Sequence, residues 1–278
     1  MNDFQKKAFE LLQTFVGICE KWDIPYYLVC GSALGAVKYG GFIPWDDDID
    51  VGLLREDYEK FLSVAPGELP EWCFLQNYMT DPMFPHTTTK LRNSNTTFIE
   101  DGVAHLAMNH GIYLDVFPID GYPSGRFGKL IFEVTKKWNE WIALLNMKHS
   151  KTLQVRIRNQ VLRLLGYHKK TNQACCRLEN LYRSYAVQNS ELWCNYGNGQ
   201  GKLEYAPRWH YGEGAWVTFE GLPVRIPENY DAYLTQKYGN WRAELPQERQ
   251  KSHHVGIIID TENSYTNYMG ENGKKEEC

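Results

Sequence analysis

The spacing of apolar positions divides the chain into an opening helix, a series of short strands, a basic helical middle and an aromatic last third. Phe4, Ala8, Leu11, Leu12, Phe15 and Cys19 recur at three and four residues, which predicts an amphipathic helix with Asp3 as its N-cap. After Pro25, residues 26–30 form an aromatic and β-branched run that reads as a short buried strand ended by Gly31 and Ser32. Residues 33–37 read as a helical turn broken by Gly40-Gly41. Residues 48–53 alternate, so Asp48 and Asp50 are expected on one strand face, with Ile49 and Val51 on the other. Residues 111–119 predict a second such strand, with Asp115 between Leu114 and Val116 and Pro118 as its stop.

From 126 to 177 the period becomes helical and twelve Lys and Arg stand against Glu133 and Glu140, a net +10 in a chain whose total is −4. Leu153, Ile157, Val161, Leu164 and Leu165 form an apolar helix face, while Arg156 and Arg163 lie on another. Two readings stay open: a solvated helix surface, or a dock for an anionic polymer or a membrane surface. Residues 195–214 read as a long loop; its Gly197-Asn198-Gly199-Gln200-Gly201-Lys202 fits neither the dinucleotide fingerprint nor the P-loop. Residues 216–219 and 222–226 flank Glu220-Gly221 as a hairpin, and a helix carrying Tyr230, Tyr233, Leu234 and Tyr238 ends at Gly239. The divisions expected are a catalytic core over 1–125, a basic helical insertion over 126–194, a loop, hairpin and helix completing the site over 195–260, and a polar tail over 261–278.

Composition narrows the function classes. The small net charge argues against nucleic acid as a partner. Charges at Asp3, Lys6, Lys7, Glu10 and Glu20 interrupt any apolar leader, and no later run approaches the length of a spanning helix, which points to a cytoplasmic protein. Seven cysteines without a CxxC pair suit free thiols better than disulfides, and adjacent Cys175 and Cys176 would diverge on a helix instead of sharing a zinc ion.

Asp48, Asp50 and Asp115 carry the chemistry. Three carboxylates brought to one sheet edge repel one another unless a cation lies between them, and Mg²⁺ (or Mn²⁺) is a hard ion that takes oxygen ligands and leaves room for phosphate. The plainer reading, an exposed acidic turn at residues 46–50, is weakened by Gly31-Ser32 before it and Asp115 after it.

The pattern Gly31-Ser32, Asp48-x-Asp50 and a later aspartate between apolar residues resembles the DNA polymerase β-like nucleotidyltransferase fold, an α/β (α+β) mixed sheet flanked by helices. The runs Leu28-Val29-Cys30-Gly31-Ser32-Ala33-Leu34-Gly35 and Gly41-Phe42-Ile43-Pro44-Trp45-Asp46-Asp47-Asp48-Ile49-Asp50 resemble the LicD family of phosphotransferases more closely. The likeness continues through Lys90-Leu91-Arg92, through residues 111–120, and at Phe219-Glu220-Gly221, Tyr238-Gly239 and residues 249–254. It does not cover the basic segment or the loop after Asn195. Lys38 stands where the family more often has arginine, which keeps a charge for phosphate and loses the bidentate fork.

The resemblance implies transfer of phosphocholine, or of ribitol- or glycerol-phosphate, from a CDP-linked donor such as CDP-choline to a hydroxyl of a cell-surface glycan such as teichoic acid or polysaccharide, or of a lipid-linked glycan, with release of CMP. It implies metal held by Asp48, Asp50 and Asp115, Asp115 as acceptor of the hydroxyl proton, and phosphate oxygens held at Gly31 and Ser32. Lys38, Lys90, Arg92, Arg249, His253 and His254 are the candidates for neutralising phosphate. Trp45, with Trp209 and Tyr211, is a candidate for stacking on cytosine or caging a quaternary ammonium. The basic segment would allow peripheral contact at the inner face of the membrane. A nucleotidyltransferase moving NMP from an NTP would use the same carboxylates; a non-catalytic glycan or lipid binder would have no need to bear their repulsion.

Overall fold

The computed structural model describes residues 1–148, 152–250 and 256–269. In chain order the helices are α1 (Asp3–Lys21), α2 (Cys30–Tyr39), α3 (Arg55–Val64), α4 (Arg126–Ala143), α5 (Leu153–Leu164), α6 (Thr171–Arg183) and α7 (Tyr230–Tyr238). The strands are β1 (Tyr27–Leu28), β2 (Asp50–Leu54), β3 (Cys73–Gln76), β4 (Thr89–Asn93), β5 (Thr97–Glu100), β6 (Ile112–Gly121), β7 (Leu192–Cys194), β8 (Tyr205–Pro207), β9 (Ala215–Phe219), β10 (Leu222–Ile226) and β11 (Gly256–Asp260).

A mixed sheet in the order β1-β2-β6-β4-β3 forms the centre, with β7 and β8 continuing from the far end of β6. Among the described residues only β2 and β6 run parallel; their neighbours pair antiparallel. Both faces of β6 are buried, as expected of a strand covered on each side, and α1 lays Leu11, Leu12 and Phe15 against the same core. The fold class expected from the sequence, α/β with a mixed sheet flanked by helices, is what the chain adopts.

Several local expectations shift. Asn2, not Asp3, caps α1: its side chain accepts from the Gln5 amide while the Gln5 side chain returns to the Asn2 amide, a reciprocal box that Asp3, already inside the first turn, does not form. Pro118 does not stop β6. The strand β4 pairs with β6 only as far as Val116, so at Pro118 that side has no β4 partner calling for an N–H. The expected loop after Asn195 holds short 3-10 turns and β8. The hairpin is as expected, with Glu220 and Gly221 both at positive φ, the pair of values a two-residue type I′ turn demands.

The helical middle has a small core of its own, in which Phe132, Ile142, Ala174, Cys175 and Tyr182 pack together with Tyr78. A buried ionic network ties it to the sheet. Arg55, at the start of α3, donates through Nε and a terminal nitrogen to both oxygens of Asp120 on β6, at 2.8 and 2.6 Å, and through the other to Glu179 on α6 at 3.1 Å. Tyr78 also donates to Glu179. Removing Arg55 would leave buried Asp120 without its cation and Glu179 with Arg183 alone. Arg55→Ala is therefore expected to cost about 3–5 kcal/mol of unfolding free energy, whereas Glu59→Ala, at the exposed partner of Arg183, stays within about 0.5 kcal/mol. Denaturant unfolding of both variants checks this; equal, small losses would mean that the network does not hold the two parts together.

Candidate active site

The site grows from strand register. Asp50 opens β2 directly beside Asp115 on parallel β6, and Lys90 on antiparallel β4 stands opposite Asp115. Lys90, Asp115 and Asp50 thus form a row across three neighbouring strands. The Lys90 ammonium lies 2.9 Å from the Asp115 carboxylate and 3.2 Å from the centre of the Tyr113 ring.

Asp46, Asp47 and Asp48 bring carboxylate oxygens within 4.8 Å of one another in the loop before β2. Asp48 is not on the strand, as the alternating pattern suggested. The chain turns at Ile43–Asp46, where the Asp46 amide donates to the Ile43 carbonyl, and the regular ladder begins only at Asp50. The three predicted aspartates nevertheless act on one another: Asp48 and Asp115, together with Asp46, bear on the Asp50 carboxyl.

Three elements anchor this loop. The Gln5 side chain of α1 donates to the Asp46 carbonyl at 2.8 Å. Glu220, at the hairpin tip, accepts from the Phe42 amide at 3.1 Å and donates its own amide to the Gly40 carbonyl at 2.8 Å. Gly35 lets α2 press on the loop, since a Cβ there would stand 2.4 Å from the Gly41 carbonyl oxygen. Ser32, in the first turn of α2, accepts the Asp50 amide at 2.8 Å and so fixes where β2 starts.

The crowding shows in the proton affinities. Burial first, then the charges of Asp48, Asp115 and Asp46, lifts the Asp50 carboxyl well above the usual carboxylate range. Burial and neighbouring Asp48 lift Asp46 to about 8. At a strand spacing of roughly 5 Å and an effective dielectric near 20, two such charges cost about 3 kcal/mol, more than the ~1 kcal/mol net worth of a typical hydrogen bond. The cluster cannot be fully ionised by its own hydrogen bonding. Its donor set, carboxylate oxygens with no thiol or imidazole among them, fits a hard divalent cation.

Other predicted residues fall at different distances from this centre. Gly31 lies against Asp46, whose Oδ2 would be 3.0 Å from a Cβ on it. Trp45 is half-buried next to the acidic loop, edge-on to Tyr39. Lys38 faces the segment after α7, donating to the Ala243 carbonyl at 2.8 Å and pairing with Glu244. Arg92, 1% exposed, donates to Gln76 and to the Gly111 carbonyl inside the sheet. Trp209 is exposed, and Tyr211 is buried in the core against Tyr27 and Tyr233. The Arg249 side chain, His253 and His254 lie outside the described residues.

Sequence reasoning missed Asp46 as a member of the cluster, Glu220 as its anchor, and Lys237. Lys237 is buried on α7, paired with Glu204, and its charge opposes the upward shift of Asp50. Adjacency to Asp48 marked Asp46; nothing local marked Glu220 or Lys237. Where β7 joins the far end of β6, Tyr122, Glu133, Lys136, Glu140, Tyr196 and Tyr205 help line a cavity of about 400 Å³. The Lys136 ammonium lies 5.6–5.8 Å from the centres of the Phe132, Tyr196 and Tyr205 rings.

Residues 23–156 match the family described as LicD/FKTN/FKRP, nucleotidyltransferase domain. The lipopolysaccharide cholinephosphotransferase LicD of Haemophilus influenzae is 25% identical over 263 residues, 92% of this chain and 96% of its own length. Ribitol 5-phosphate transferase FKRP of Homo sapiens is 44% identical over 48 residues, 17% of this chain and 10% of that protein. Ribitol-5-phosphate transferase FKTN of Homo sapiens is 34% identical over 62 residues, 22% and 13% respectively. Residues 23–156, which hold every one of the clustered aspartates, are thus a LicD-family domain.

Proposed function

We propose that this chain is a Mg²⁺-dependent phosphotransferase that moves phosphocholine, or a related phospho-alcohol, from a CDP-linked donor to a hydroxyl of a cell-surface glycan. The observation that carries the reading is the register that sets Asp50 beside Asp115, with Asp46 and Asp48 crowding the same point. The transferred group comes from the relatives, one named for choline phosphate and others for ribitol phosphate. We read the mixed sheet as a polymerase β-like core on the same grounds.

The acceptor oxygen attacks the donor phosphorus that carries the alcohol, the P–O bond to CMP breaks, and the hydroxyl proton leaves to a carboxylate. We assign that proton to Asp115, which Lys90 orients at 2.9 Å. Asp48, Asp50 and Asp115 would hold Mg²⁺, or Mn²⁺ in its place; bound there, the ion offsets charge on the diphosphate and the departing CMP. Gly31 and Ser32 present the first turn of α2, whose backbone amides suit phosphate oxygens.

Release of CMP from CDP-choline, CDP-ribitol, CDP-glycerol and CDP-ethanolamine, with glycan acceptor and with or without Mg²⁺, tests the reading. The expected result is metal-dependent CMP from one donor, at least about a hundredfold lower in Asp115→Asn. Full activity in that variant would remove Asp115 as the base; pyrophosphate release from an NTP in place of CMP would make the chain a nucleotidyltransferase.

The raised carboxyls give a second test. A carboxyl that holds its proton more tightly folded than unfolded stabilises the fold at low pH, and that contribution is lost as pH rises between the two values. With a chelator present, Tm should therefore fall from about pH 4 to about pH 8, the interval between the ordinary and the raised value of Asp46. Mg²⁺ or Mn²⁺ should restore Tm near the top of that interval and have little effect near the bottom. Asp46→Asn should flatten the slope, and a chelated protein whose Tm rises across the interval would contradict the crowding.

A further inference from the structure

The outer surface of the helical middle is apolar as well as basic. On α4, Phe127, Leu130, Ile131, Val134 and Trp138 follow one another at three- and four-residue steps, hence along one side of the helix, and all are exposed, Phe127 at 79%. The opposite side, with Phe132, Asn139 and Ile142, is the one buried against the rest of the protein. On α5 the apolar face at Leu153, Ile157, Val161, Leu164 and Leu165 is also turned outward, Leu164 at 83%, and Leu162 is the residue that α5 buries. Trp141 joins the two helices by carrying the Arg158 guanidinium 4.8 Å from its ring centre, and Trp138 meets Tyr167 just beyond α5. Both helices thus expose long apolar stripes, where a soluble surface normally scatters such residues singly.

Charge selects what covers them. Arg126, Lys137, Lys148, Arg156, Arg163 and Lys169 are exposed around the stripes. The segment's only acidic residues, Glu133 and Glu140, face Lys136 and Lys137 of their own helix. A second copy docked face to face would set one +10 segment against another. An anionic surface with an apolar interior satisfies both halves of the pattern at once, the stripes entering the acyl boundary and the arginines and lysines reaching headgroup phosphates. Among the described residues no helix is long and apolar enough to cross a membrane, so contact of this kind would be peripheral. We propose that the outer face of α4 and α5 docks the protein on an anionic lipid bilayer. This rests on the stripes and their charge and is independent of the reaction assigned above.

Vesicle co-sedimentation tests it, with the full chain and vesicles of phosphatidylglycerol and phosphatidylcholine in equal parts, against phosphatidylcholine alone. The wild-type protein should pellet with the anionic vesicles, stay in solution with the neutral ones, and release at high salt. The double variant Ile131→Glu, Leu164→Glu changes two exposed positions, so circular dichroism should stay native while vesicle affinity falls at least tenfold. Failure to pellet with anionic vesicles, or pelleting undiminished in the variant, would overturn the proposal. So would light scattering that finds a wild-type dimer dissociated by the same two changes, because a second copy would then cover the stripes.

Discussion

Asp50 and Asp115 stand side by side on a parallel strand pair of the central sheet, and their repulsion, sharpened by Asp46 and Asp48, is the constraint around which the neighbouring elements are arranged. Parallel pairing is what makes the junction possible, since it brings the start of β2 level with the middle of β6 while α2, the acidic loop and the hairpin tip converge there. Lys90 on β4 and Lys237 on α7 bring positive charge toward the cluster from two sides. They moderate the repulsion without removing it, as the raised Asp46 and Asp50 carboxyls show. Carboxylate oxygens held close by the fold in this way would be preorganised for the cation that the proposed function requires.

Positioning is distributed over distant parts of the sequence. The acidic loop is gripped by Gln5 from the first helix and by Glu220 from the late hairpin, and Ser32 sets the first hydrogen bond of β2. The helical middle reaches the sheet through Arg55, Asp120 and Glu179, leaving its other side free to face outward. The two charged regions are thereby kept distinct: an acidic centre at the start of β2, and a basic, apolar surface on the helical middle.

Much of this was legible in the chain. Helical spacing gave α1 and α7, the Glu220-Gly221 dipeptide gave the hairpin, and an aspartate flanked by apolar residues marked β6. These are local signals, and local periodicity reports them well. The period-two reading failed at Asp48 because a turn held by Ile43 and Gln5 intervenes before the strand begins. Arg92, grouped with the phosphate ligands on charge alone, is buried in the sheet on Gln76 and Gly111, a partnership set by strand register. Glu220 and Lys237 were invisible for the same reason, their partners lying far away in sequence. The apolar face of α5 was visible, whereas its outward orientation depends on how α4 and α6 pack.

The proposed function requires the aspartate junction to hold a cation. The most direct measurement is electron paramagnetic resonance of Mn²⁺ titrated into the purified protein, comparing wild type with Asp50→Asn and Asp48→Asn. Mn²⁺ bound by the wild type, displaced by Mg²⁺ and lost or greatly weakened in both variants, is the result predicted. Wild-type protein that leaves Mn²⁺ free, or variants that bind it unchanged, would contradict the assignment.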